Sequence, residues 1–143
     1  MAEHVAFMHD EPLDDIIARR KRFEFRLGFR RLACRSVRPG DVVLLKRVGG
    51  EVEAACDVGE ARILTDLTPE QVADLAREYD LGTAKPYFGR YTPPNNTDRP
   101  VHVGVIELLN VRRTTLHPDA TPRGVQSGWV AGFDPGDEHT GKL

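Results

Sequence analysis

The Gly49-Gly50 pair narrows the possible folds more than any other position in this chain. Val42 to Val48 precede it as one apolar strand, and Val52, Ala54, Cys56 and Val58 follow on one face of a second. Two strands joined by two glycines read as a β-hairpin, because glycine tolerates the positive φ that such turns need. Antiparallel sheet is thus built in locally, without a crossover helix. After Gly59 the apolar phase moves to Ala61 and Ile63, which predicts a bulge.

The clearest helix signal is Thr68-Pro69-Glu70-Gln71, a capping box with proline at the first helical position. Val72, Leu75, Ala76 and Tyr79 follow at helical spacing, and Gly82 is the expected stop. A first, shorter helix is expected after Asp10 as N-cap, with Leu13, Ile16 and Ile17 on its apolar face. His4 to Met8 reads as an opening strand, and Phe23, Phe25 and Leu27 alternate with Glu24 and Arg26 in a half-buried one. Residues 28–38 lack a clean period and read as a basic loop, closed by the turn Pro39-Gly40-Asp41. A long Pro/Asn/Gly loop over residues 83–100 carries Tyr87, Phe88 and Tyr91. Val101 to Val111 is apolar on both phases and reads as a buried strand, and Ser127 to Ala131 can add an edge strand. Five or six short strands with two helices make an α+β domain around a bent sheet or small barrel. The reading places that domain at residues 1–111 and a C-terminal extension, frayed at its end, at residues 112–143.

With 143 residues and 40% hydrophobic side chains, a conventional core is available without metals or disulfides. No apolar run approaches the ~20 residues of a membrane span. The acidic start lacks the features of a secretory signal, so Cys34 and Cys56 are expected as free thiols in the cytoplasm. The five histidines show no metal-ligand spacing, and no cofactor is expected.

The formal charge of −2 hides a strong asymmetry. Residues 19–47 hold eleven basic side chains, nine of them arginines, against Glu24 and Asp41, a local net of +9. The remainder carries 9 basic and 20 acidic side chains, a net of −11. A basic, arginine-rich segment in an acidic chain points to an anionic partner, since arginine suits bidentate phosphate contacts and stacking on bases.

Within that segment, Lys21, Glu24 and Arg26 form a K-x-x-E-x-R run that resembles the ASCH (activating signal cointegrator homology) family. The family has a glycine before the lysine, where this chain has Arg19. The likeness extends to the opening strand and helix, the Arg38-Pro39-Gly40-Asp41 turn, the Gly49-Gly50 hairpin, Leu67-Thr68-Pro69-Glu70, and the Tyr87-Phe88 loop. It spans residues 4–111. It implies a PUA-like β-barrel whose cleft beside the K-x-x-E-x-R strand holds RNA or a modified nucleotide. Some members hydrolyse acylated cytidines, with a threonine three residues after the lysine where this chain has Glu24, and others have been proposed as ribonucleases.

The expected ligand-binding set is therefore Lys21, Arg22, Glu24, Arg26, Arg30, Lys46, Tyr87 and Phe88. A carboxylate can accept from an exocyclic base amine, arginine can grip phosphate, and ring faces can stack on a base. Were the chain an enzyme acting on N4-acetylcytidine or RNA, Lys21 would be the base and Glu24 the proton relay. A protein-interaction module meeting an acidic partner is the third reading. Trp129 is a further stacking candidate, and His102 reads as a satisfied core histidine.

Overall fold

The computed structural model describes residues 1–79, 86–114 and 128–130, with the side chains of residues 86 and 87 left aside. In chain order the elements are β1 (Glu3–Met8), α1 (Asp10–Ile17), β2 (Phe23–Gly28), a 3-10 turn (Ala33–Ser36), β3 (Val42–Arg47), β4 (Val52–Leu67), α2 (Pro69–Glu78), the short α3 (Pro86–Gly89), β5 (Val101–Arg113) and β6 (Trp129–Val130). Six strands form one sheet in the order β2-β5-β4-β3-β1-β6. The α+β class expected from the sequence is what the chain adopts. By density of internal contacts it divides into two compact units.

The first unit comprises Met1–Glu24, Ser36–Ala61 and the described residues from Ile106 onward. Its β3–β4 hairpin forms as expected, with Gly49 at φ +74°. A register shift in this pair falls between Leu45 and Lys46. At Gly59 a Cβ would collide with the Glu107 carboxylate. β1 pairs with β3 in parallel, Glu3 opposite Val42 through Met8 opposite Arg47. That pairing joins segments far apart in sequence, and no local pattern announces it. On the other side of β1, β6 adds the short edge strand, Val5 opposite Val130 and Ala6 opposite Trp129. Ser127 and Ala131, which the reading included in that strand, lie outside the described residues.

Asp10 does not cap α1. His9 is the N-cap and contributes no side-chain hydrogen bond, while Asp10 sits in the first turn beside the positive end of the helix dipole. Asp10 and Asp14, one turn apart, both accept from Arg47, at 2.8 Å each. Leu13 and Ile16 are fully buried, as their spacing requires.

A second polar knot fastens the opening of the chain. Asp41 Oδ1 accepts from the Ala2 N–H at 3.0 Å, and Oδ2 accepts from the Arg38 N–H at 3.0 Å and from His4 Nε2 at 2.9 Å. The Trp129 indole N–H donates to His4 Nδ1 at 3.4 Å. An indole nitrogen can only donate, so His4 Nδ1 is the acceptor and Nε2 carries the proton it gives to Asp41. Trp129 is therefore a buried part of this knot and offers no face for stacking.

The second unit comprises Phe25–Arg35 and Arg62–Val105. The α2 capping box is complete: Thr68 Oγ1 accepts from the Gln71 N–H at 3.1 Å, and Gln71 Oε1 accepts from the Thr68 N–H at 2.8 Å. Val72, Leu75 and Ala76 are buried by α2, which ends at Glu78; Gly82 lies outside the described residues. Phe25 meets Tyr79 edge-on at 5.3 Å and Phe88 at 5.8 Å, and Phe88 is fully buried. The segment expected as a basic loop contains the 3-10 turn, which buries Cys34. At Gly104 a Cβ would stand 3.0 Å from the Cys34 sulfur, so glycine lets the turn pack against β5. His102 is not the satisfied histidine expected: its buried Nδ1 has no partner among the described residues, and Nε2 lies 3.8 Å from Asp66. Both cysteines are free and buried, and burial pushes the Cys56 thiol up to about 12.

Candidate functional site

Between α1 and β2 the chain reverses through Arg19, which sits at φ +62°. This is the position at which the ASCH pattern has glycine. An L-residue there costs about 1–2 kcal/mol in backbone strain, which glycine avoids. The Arg19 guanidinium is thereby aimed at the far end of β5, where it donates to the Val111 carbonyl at 3.1 Å. Three residues on, the Arg22 carbonyl accepts from the Leu108 N–H at 2.8 Å.

These connections frame a cleft of about 360 Å³ in the first unit, lined by Arg19, Lys21, Arg22 and Leu108 to Val111. A volume in this range fits a small ligand. The lining is cationic in Arg19, Lys21 and Arg22 and partly apolar along β5, where Leu109 is partly exposed and Asn110 has a φ of +51°, tolerated best by asparagine among side-chain-bearing residues. Asn110 Nδ2 donates to Asp57 Oδ2 at 2.9 Å, and that bond, joined by Arg112, holds the Asp57 carboxyl below its ordinary pKa.

Lys21 precedes β2 instead of lying within it, so strand alternation does not bind it to one face. Its ammonium comes to 3.7 Å from Glu24 Oε1. The two side chains are 20% and 7% exposed, so Glu24 is a buried carboxylate beside a lysine that reaches the cleft. Glu24 itself does not line the cleft, and its contact with Lys21 places the ammonium. Arg22 is paired with Glu107 but leaves most of its side chain in solvent. Glu107 also accepts from the Glu60 N–H; that bond first, then Arg22, holds its carboxyl below the ordinary value. A guanidinium has five donors and an ammonium three, so both keep donors for an anion beyond these partners.

Of the expected site residues, Lys21, Arg22 and Glu24 are brought together in the first unit. Lys46, in the same unit, is not a lining residue: its ammonium lies 5.2 Å from the Phe7 ring centre and donates to the Arg47 carbonyl at 3.4 Å. Arg26 and Arg30 belong to the second unit, Arg26 half-buried on β2 and Arg30 exposed after it. Phe88 packs there as core, and the Tyr87 side chain lies outside the described residues. The reading missed Arg19 and the β5 residues of the cleft. Arg19 stood at the glycine of the family pattern, the one signal that marked it, and the β5 residues looked purely core-forming.

The +9 segment is also less uniformly available than its count suggested. Arg47 is enclosed by Asp10, Asp14 and Glu53, and Arg20 pairs with Asp15. These arginines neutralise carboxylates contributed by acidic stretches elsewhere in the chain. They hold structure together.

No protein-family model and no curated protein matches the chain. Crystal structures of the ASCH protein of Zymomonas mobilis do match it in fold. A tyrosine-to-phenylalanine mutant superposes with TM-score 0.62 at 14% identity, covering 90% of this chain and 88% of that one. A serine-to-alanine mutant gives 0.61 at 14% identity, covering 90% and 87%. A further ASCH structure from the same organism gives 0.58 at 15%, covering 90% and 86%. The shared path of the chain, reached at such low identity, agrees with the ordered set of motifs read from the sequence: the chain has the fold of an ASCH domain.

Proposed function

We propose that this domain binds RNA or a nucleotide, holding a nucleobase and its phosphate in the cleft lined by Arg19, Lys21 and Arg22. The observation that carries the reading is the make-up of that cleft. Three cationic side chains line it together with the partly exposed Leu109, and Lys21 is set by a buried carboxylate. Arginine and lysine donors suit phosphate, and an apolar side chain suits the flat face of a base. Glu24 acts by positioning Lys21. A cytoplasmic setting accords with two free thiols, and among the described residues no helix is long and apolar enough to cross a membrane.

Titration with cytidine and uridine monophosphates at low salt tests this. Binding should weaken about tenfold in Lys21→Met and in Arg22→Met, and severalfold in Glu24→Gln. Absence of nucleotide binding at low salt would overturn the proposal.

A hydrolytic use of the same cleft is the second reading, favoured by the Lys21–Glu24 contact, which sets a cleft-lining lysine beside a carboxylate able to take up its proton. It predicts turnover of N4-acetylcytidine or RNA that disappears in Lys21→Ala; no product by chromatography removes it.

A further inference from the structure

We infer that the exposed surface around Phe29, in the second unit, is a binding surface for single-stranded nucleic acid, with Arg90 and Arg99 as its phosphate-binding side chains. Phe29 follows β2 and is half-buried, and its ring centre lies 4.9 Å from that of Tyr91. The Arg99 guanidinium carbon stands 3.8 Å from the Phe29 ring centre, which is stacking distance. That of Arg90 is 5.7 Å from Phe29 and 5.8 Å from Tyr91. Arg30 and Arg31, next in the chain after Phe29, are exposed as well. The surface thus gathers Arg90 and Arg99 about two aromatic rings.

None of Arg30, Arg31, Arg90 and Arg99 forms an ion pair among the described residues, in contrast to Arg20, Arg22 and Arg47 of the first unit. The carboxylate nearest in sequence is the single exposed Asp98. Arg90 and Arg99, both set over the Phe29 ring without counter-charges among the described residues, repel one another in the free protein, and an anionic ligand relieves that repulsion. Pinning a loop to the core would explain Arg99 over Phe29. It does not account for Arg90, which is exposed over the same ring.

The loop that carries Arg99 is also built to hold it. Asn96 is buried, and its Nδ2 donates to the Tyr91 carbonyl at 3.2 Å and the Arg99 carbonyl at 2.9 Å. Its Oδ1 accepts from the Arg99 N–H at 3.0 Å. One asparagine therefore fixes the backbone of both Tyr91 and Arg99. A guanidinium fixed by stacking keeps its in-plane N–H groups for bidentate contact with phosphate, and loses less freedom when it binds. Exposed guanidinium and ring faces can stack on unpaired bases, which a duplex does not offer.

The test measures binding of a labelled twelve-nucleotide oligouridylate across a range of salt concentrations, beside binding of uridine monophosphate. For the Arg90→Met/Arg99→Met double variant the expectation is at least tenfold weaker oligonucleotide binding. The log–log salt slope should become shallower by about 1.4, since each single-strand phosphate contact contributes about 0.7. Monophosphate binding, which reports the cleft, should stay unchanged. Oligonucleotide affinity and slope within error of wild type would overturn the inference, as would polyglutamate competing as well as the oligonucleotide. If thermal melting shows the double variant to be unfolded, Arg90→Lys/Arg99→Lys decides: weaker binding at an unchanged slope is expected, and undiminished affinity overturns it. Loss of monophosphate binding with this surface intact would count against the cleft alone.

Discussion

Arg47 and Arg20 in the first unit and Arg90 and Arg99 in the second do opposite jobs, while Arg62 and Arg77 of the second unit are ion-paired with Glu78 and Asp74. In the first unit Arg47 lies among Asp10, Asp14 and Glu53, and Arg20 pairs with Asp15. In the second, Arg90 and Arg99 lie on aromatic rings with no carboxylate partner among the described residues. A sequence count treats them alike, as +1 each. The environment decides which are spent on the fold and which are left for a ligand, because a paired guanidinium presents little net charge to solution.

The sharpest way to break this contrast is to remove a partnered group from the first unit. Asp41→Ala leaves His4 Nε2–H and two backbone N–H groups without their acceptor in a buried setting, and should cost about 3 kcal/mol. Chemical denaturation checks it. Arg47→Met should lower the melting temperature clearly, whereas Arg99→Met should change stability by about 0.5 kcal/mol or less, as surface substitutions usually do. Equal losses for the two would erase the distinction.

Acid gives a second test. Burial acts to raise the Asp41 pKa, but the hydrogen bonds from Ala2, His4 and Arg38 outweigh it and hold the carboxyl below its ordinary value. Glu53, Asp57 and Glu107, also in the first unit, are lowered too, by Arg47, by Asn110 and by the Glu60 N–H respectively. A depressed folded-state pKa contributes stability that is fully present above the unfolded value and is lost as pH falls through the folded one. Stability should therefore hold from neutral pH down to the model-peptide range, 3.8 for Asp41, and decline below it. Amide exchange in β1 and β3 should rise in that window before exchange in α2 does. Simultaneous loss in both units would contradict the assignment.

Much of this was legible where the causes are local. The capping box of α2, the Gly49-Gly50 hairpin and the apolar faces of Leu13/Ile16 and Val72/Leu75/Ala76 are set by neighbours a few residues away. The parallel β1–β3 pairing was not legible, because register between distant strands depends on tertiary packing. Asp10 misled for a related reason: its partner, Arg47, is 37 residues on. In the site, Lys21 and Glu24 were found through the family pattern, and the cleft wall from Leu108 to Val111 was hidden in a strand that looks wholly buried. Phe88 and Trp129 show the converse, aromatics that read as stacking platforms and proved to be core.

Smaller effects sharpen the account at the rim of the cleft. Arg19→Gly relieves the positive φ, so it should be more stable than Arg19→Ala by about 1 kcal/mol, while both lose the bond to Val111. Equal stabilities would mean that the backbone there is not held in the left-handed region. The buried Cys56 thiol, pushed up to about 12, should resist alkylation at neutral pH until the chain is unfolded.

The cleft itself is tested most directly by following backbone amide resonances during titration with cytidine monophosphate. The account predicts saturable shifts concentrated at residues 19–22 and 108–111, greatly weakened in Lys21→Met. Shifts spread elsewhere, or none at millimolar nucleotide, would contradict it.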